Sequence, residues 1–139
     1  MIQLSIPGEP IGKKRPRFAR RGKITVAYND QQTEEGKFIA QVLAQANGQT
    51  INGPIEMTMT ATKSRPKSHY GTGRNSGKLK PSAPAYPTNK PDLDNILKFV
   101  CDCFNEILFK DDAQVVSIQA IKRYGDNPRT EITLEKVFI

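Results

Sequence analysis

Asp92-Leu-Asp94-Asn95, with Lys98 shortly after and Asp111-Asp112 further on, holds the residue types in this chain best suited to chemistry. Carboxylate oxygens are the ligands that hard divalent cations take, and a nearby lysine can oppose charge on a phosphate. The chain around these acids is basic: 21 Lys and Arg against 14 Asp and Glu give a net charge of +7. Acids gathered within a basic protein suggest a site for hard cations, and hard cations beside a basic surface suggest chemistry on phosphates.

Other chemistries lack the residues. His69 is the one histidine and lies in a Gly-rich basic loop, a poor setting for a Ser-His-Asp triad. Cys101 and Cys103 are the two cysteines; on a helix they point about 200° apart and cannot pair with each other. Cysteine and histidine together are too few in one chain for a zinc site.

The elements that must position the acids centre on one helix. Ile96, Phe99, Val100, Cys103, Phe104, Ile107 and Leu108 recur at helical spacing, which predicts a helix over 95–108, about 20 Å long. Asp92 or Asp94 is placed to cap its start. Pro91 predicts that both lie in extended chain, where positions i and i+2 point the same way and two carboxylates can face one ion. Lys98 is predicted on the same side of the first turn as Asp94, and Asp94, Lys98 and Asp102 fall off the apolar face. Asp111 and Asp112 can reach the first pair only if the chain turns at Phe109-Lys110 and runs back beside the helix. Taken singly, each acid pair also fits a plain structural role, one as a cap and the other as a turn.

The remaining elements predict a small α+β domain. Ile2, Leu4 and Ile6 alternate as a first strand, and Phe38, Ile39, Val42, Leu43 and Ala46 form the face of a helix that starts near Asp30 and stops at Asn47-Gly48. Ile55, Met57, Met59 and Ala61 form a second strand. A basic loop rich in Gly and Pro, 63–90, is long enough to be functional or mobile. Val116, Ile118, Ala120 and Tyr124 form a third strand, and Thr130 to Phe138 a fourth, paired with the third as a hairpin across Gly125-Asp126-Asn127-Pro128. The order is β-α-β-loop-α-β-β, with the helices on one mixed sheet, in one domain spanning 1–139. Lys122 falls on the otherwise apolar face of the third strand, where a lysine needs an acidic partner, a site, or a route for its stem to solvent.

The charge is clustered. Lys13, Lys14, Arg15, Arg17, Arg20, Arg21 and Lys23 form one run; Lys63, Arg65, Lys67, Arg74, Lys78, Lys80 and Lys90 form another. No acid occurs between Met57 and Pro91. Such runs are either solvated loops or contacts to a polyanion, and with no amphipathic helix beside them nucleic acid is preferred to a membrane. Tyr70 and Tyr86 could stack on unpaired bases or simply pack. No apolar run approaches the roughly 20 residues that span a bilayer, and the N-terminus lacks the pattern of a signal peptide, so a cytoplasmic protein is expected.

At Lys90-Pro-Asp92-Leu-Asp94-Asn95-Ile-Leu-Lys98, Asp111-Asp112-Ala-Gln114-Val-Val116 and Lys122, the chain resembles the RusA family of Holliday junction resolvases. Pro7-Gly-Glu-Pro10 and Lys13-Lys-Arg-Pro-Arg17-Phe are similar to a subset of that family. The resemblance implies a homodimer that depends on Mg²⁺ (Mn²⁺ as a substitute), uses no small-molecule cofactor, and makes paired nicks in four-way DNA junctions, leaving 5′-phosphate and 3′-hydroxyl ends. It maps the essential acids onto Asp92, Asp94 and Asp112 and the essential lysine onto Lys98, with Asp111 the weaker metal candidate. Both basic runs and Lys122 would grip DNA, and a bacterial or phage origin would suit the chain. The alternatives are a related nuclease of flaps or forks, or a DNA-binding module without catalysis.

Overall fold

The computed structural model describes residues 1–15, 17–28 and 31–138. Asp30, where the first helix is predicted to start, lies outside the described residues. The elements are β1 (Ile2–Pro7), β2 (Arg17–Arg21), β3 (Ile24–Tyr28), α1 (Gln32–Ala46), β4 (Ile55–Lys63), α2 (Leu93–Phe104), β5 (Val115–Tyr124) and β6 (Arg129–Lys136). β2 and β3 form a hairpin of their own, and the other strands form one sheet in the order β1-β6-β4-β5. This is the expected α+β architecture, with β4 and β5 parallel and the other neighbours antiparallel.

One sheet face is apolar because the strands alternate in phase. Ile2, Leu4 and Ile6, then Ile55, Met57, Met59 and Ala61, then Ile132 and Leu134 are all buried. Phe38, Val42 and Ala46 of α1 and Ile96, Phe99, Val100, Cys103 and Phe104 of α2 complete the core. Leu43, assigned to the apolar face of α1 by spacing, is 57% exposed. Asn47 ends α1 in the left-handed region (φ 53°), as the Asn-Gly pair predicts. At the β1 edge, the Gln45 side chain accepts from the Ser5 N–H and donates to the Ser5 carbonyl, both at 2.8 Å, and so occupies backbone groups that an edge strand leaves open.

Two sequence expectations are corrected. α2 ends at Phe104, not at 108: Asn105 leaves helical geometry and Glu106 turns left-handed (φ 66°). Leu108 still reaches the core because the turn folds it under, with its N–H on the Phe104 carbonyl at 3.0 Å. The predicted β5–β6 hairpin is also absent, since β4 lies between those strands. The 125–128 turn crosses the end of β4 instead, held by the Gly125 N–H on the Lys63 carbonyl at 2.9 Å. A Cβ at Gly125 would come 2.6 Å from Cγ2 of Thr62, so the crossing needs glycine.

Cys101 and Cys103 are free and buried, as their spacing requires. Burial, with nearby carboxylates, pushes the Cys101 thiol up to about 11 and the Cys103 thiol up to about 12. Both are therefore neutral thiols near pH 8, and reaction with a disulfide reagent is expected to be at least about 100-fold slower in the native protein than in the unfolded one. A stopped-flow comparison with and without denaturant measures this; equal rates would mean that the α2 core opens readily.

Candidate active site

Asp92 is the N-cap of α2, in extended geometry (φ −68°, ψ 145°) after Pro91, and its carbonyl accepts from the Ile96 N–H at 3.0 Å. Its carboxylate makes no capping bond. Asp94 already lies in the first helical turn, so the expected extended Asp92–Asp94 pair is not what forms; one acid is extended and the other helical. A helix N-terminus favours carboxylates near it. Asp92, Asp94 and Lys98 are all exposed, and among the described residues none of their side chains has a hydrogen-bond or ion-pair partner.

A strap over residues 10–14 runs beside this helix start. The Lys13 N–H donates to the Asn95 carbonyl at 3.0 Å. The buried Gln31 side chain donates to the Gly12 carbonyl and accepts from the Lys14 N–H, each at 2.8 Å. A Cβ at Gly12 would lie 2.9 Å from Cβ of Pro91, so glycine lets the strap approach that closely. The Lys13 ammonium sits between Glu35 (3.3 Å) and Asp102 (3.1 Å), and Lys14 pairs with Glu34 at 3.5 Å. Burial alone would lower the Lys13 pKa, but bonding to Asp102 and Glu35 outweighs it and the pKa is raised. Between strap and helix lies an open cleft of about 600 Å³, with Lys13, Lys14, Lys90, Asp92 and Asn95 in its lining.

Asp111 and Asp112 stand elsewhere. Asp111 caps the short 3₁₀ turn Asp112–Gln114, and Gln114 anchors that turn by accepting from the Lys110 N–H and donating to the Ile51 and Gly53 carbonyls. A hydrogen bond between the two carboxyls holds Asp112 above its ordinary pKa and Asp111 below. The charge of Asp112 is felt by Cys101, and that of Asp102 by Asp112. Asp112 therefore stands level with the later part of α2, since Asp102 is about 12 Å along the axis from Asp94. The chain does double back beside the helix, but what β5 returns to the helix start is Lys122. Its ammonium donates to the Asn89 carbonyl at 2.8 Å and the Pro91 carbonyl at 3.1 Å. Among the described residues, no three His, Cys, Asp or Glu side chains are grouped as a ready-made metal site.

Residues 7–135 match the family described as Endodeoxyribonuclease RusA. This chain belongs to the RusA family of endodeoxyribonucleases. It is also 35% identical, over 138 residues, to the uncharacterized protein YqaN of Bacillus subtilis (strain 168), a match covering 98% of this chain and 96% of that one. No helix among the described residues is long and apolar enough to cross a membrane.

The 63–90 segment packs against Tyr124 of β5 and folds on itself. Arg65 donates to the Pro84 carbonyl at 2.7 Å and lies 4.5 Å over the Tyr124 ring, while His69 meets the same ring edge-on at 5.3 Å. The Lys80 N–H donates to the His69 carbonyl and the Gly71 N–H to the Lys78 carbonyl, which fold the lobe on itself. This arrangement sorts the expected DNA contacts. Lys13, Lys14, Lys63, Arg65 and Lys122 have partners within the protein. Arg15, Arg20, Lys67, Arg74, Lys78, Lys80 and Lys90 are exposed, with no ion-pair or hydrogen-bond partner for their side chains among the described residues. The side chains of Arg17 and Arg21 lie outside the described residues. Tyr86 is 58% exposed and Tyr70 half-buried. Asp102, which holds Lys13, was visible in the sequence only as one more residue off the apolar face.

Proposed function

We propose that this protein is a divalent-metal-dependent endonuclease that resolves four-way DNA junctions, acting as a homodimer whose two-fold symmetry matches that of the junction. The observation that carries the reading is the start of α2. There Asp92, Asp94 and Lys98 stand exposed and uncommitted beside a lysine-lined cleft, in a chain of the RusA family. Exposed carboxylate oxygens without zinc-type ligands are the donor set for Mg²⁺, with Mn²⁺ as a substitute.

Mg²⁺ supplies Lewis acidity and a water that loses its proton more readily. Asp92 and Asp94 would hold it, with Asp112 as the third essential acid and Asp111 beside it. Asp112 would have to reach the helix start for this. The Lys98 ammonium opposes the charge that builds on the phosphate oxygens as the bond breaks. The exposed cations of the 63–90 lobe hold the backbone of the junction arms by charge, without reading sequence.

The deciding experiment is incubation of an immobile four-way junction, a flap, a fork and a plain duplex with the protein, with and without Mg²⁺, and with product mapping on every strand. Paired symmetric nicks in the junction alone, only with metal, are expected. Equal cutting of flaps and forks would shift the reading to a broader nuclease of branched DNA. Binding without cutting would leave a DNA-binding module.

The exposed cations give a second expectation. Replacing Lys67, Arg74, Lys78 and Lys80 together by serine should weaken junction binding and flatten its salt dependence by about three to four units of log Kd against log salt. Lys13→Ser should leave the slope almost unchanged, because that ammonium is held by Glu35 and Asp102. A salt titration of both variants checks this; the reverse ranking would place the DNA on the strap.

A further inference from the structure

The helix-facing side of β5 reads Ile118, Ala120, Lys122, Tyr124, level in register with Met57, Met59, Ala61 and Lys63 of β4. The surface turns from apolar to cationic where it comes level with the start of α2. Two ammoniums there are bonded to the chain just before the helix. Lys122 Nζ donates to the carbonyls of Asn89 (2.8 Å) and Pro91 (3.1 Å). Lys63 Nζ donates to the Lys90 carbonyl (2.6 Å) and to Oδ1 of Asn89 (3.2 Å). Three successive carbonyls, the last immediately before Asp92, are thus held by two charged donors.

Nothing in local helix geometry requires this. Residues 89–91 precede the helix and have no ladder partner, and Pro91 has no N–H to offer one. A lysine at a strand end can run its stem to solvent; Lys122 instead donates twice to backbone, and charge-assisted bonds are the strong ones. Ala61, fully buried and level with Lys122, leaves room for it. The strap also approaches this segment, since a Cβ at Gly12 would lie 2.9 Å from Cβ of Pro91. The segment before Asp92 is therefore held by both lysines and closely packed by the strap.

We propose that Lys122, supported by Lys63, is a positioning residue: it fixes the backbone of Asn89–Pro91 and through it the carboxylate of Asp92, and does not contact DNA. The proposal rests on the reading of Asp92 as a site carboxylate. Lys122→Met keeps the stem and removes the donors. Misplacing a reacting group by about 1 Å can cost about 100-fold, so nicking of bound junction should fall roughly 10- to 100-fold. Junction Kd and its salt slope should stay at wild-type values. Amide exchange at Ile96, whose N–H is bonded to the Asp92 carbonyl, should quicken. Lys122→Arg, which can still donate to two carbonyls, should recover most of the rate. Should Lys122→Met prove unstable on melting, Lys122→Gln, with one neutral donor head, provides the same comparison.

A loss of affinity with a salt slope smaller by about one, and an unaltered rate once bound, would make Lys122 a phosphate contact and overturn the proposal. Unchanged exchange at Ile96 in Lys122→Met would overturn it too. If the wild-type protein cuts no branched DNA, the functional reading fails by itself. Amide exchange, together with calorimetric Mn²⁺ titration of wild type and variant, still decides whether the clamp sets Asp92.

Discussion

Asp92→Asn is expected to abolish nicking while leaving junction binding and thermal stability near wild type. The substitution keeps the shape of the side chain and removes its charge. Because the Asp92 carboxylate makes no capping bond, little folding energy is tied to it. If it helps hold the divalent ion, its loss removes several kcal/mol of stabilisation from the breaking bond, about 1,000-fold or more in rate. Asp94→Asn should behave alike. Asp112→Asn asks a sharper question, because Asp112 lies level with the later part of α2 beside Asp102 and bonded to Asp111. Loss of nicking with retained binding would show that this turn joins the helix start when DNA and metal are present. A wild-type rate would leave the Asp111–Asp112 pair as a capped turn and restrict the site to Asp92, Asp94 and Lys98. Single-turnover nicking at saturating metal, alongside a binding titration, separates these results.

Phe99→Ala should produce the largest effect on folding. Phe99 is 1% exposed on α2 and meets Phe38 of α1 edge-to-face, with centroids 5.4 Å apart and planes at 82°. Phe38 in turn lies 6.2 Å from Phe104. Removing the ring leaves a cavity where both helices meet the sheet, at a cost of about 3–5 kcal/mol. Against a typical stability of about 5–15 kcal/mol, that is enough to leave the variant marginal. Urea unfolding followed by circular dichroism measures it. A loss below 1 kcal/mol would mean that the helices hold the sheet without this contact.

The core was legible because its periodicities are local. The alternation of β1 and β4 and the stripe of α2 each follow from a few consecutive residues. The end of α2 was misread because Ile107 and Leu108 keep the apolar spacing after Glu106 has broken the helix; burial by a turn and burial by a helix leave the same pattern. The β5–β6 hairpin was misread for a related reason. Gly125-Asp126-Asn127-Pro128 announces a turn but not whether the strands beside it pair or straddle a third. Residue types singled out Asp92, Asp94, Asp111, Asp112 and Lys98 as candidates, whereas their distances depend on the register between β5 and α2. That register brings Lys122 to Pro91 and keeps Asp112 beside Asp102, and no short stretch of sequence encodes it. The lysine clamp was equally hidden, since Lys63 and Lys122 are far apart in the chain and resemble ordinary DNA-binding cations.

Because β6 lies between β1 and β4, the last strand in chain order is the one that joins the first to the rest. Until residues 129–136 have left the exit tunnel, β1 has no neighbour in this sheet, and β4 can pair only with β5. The four-stranded sheet therefore grows outward from its β4–β5 pair, and β6 is the strand whose arrival brings in β1.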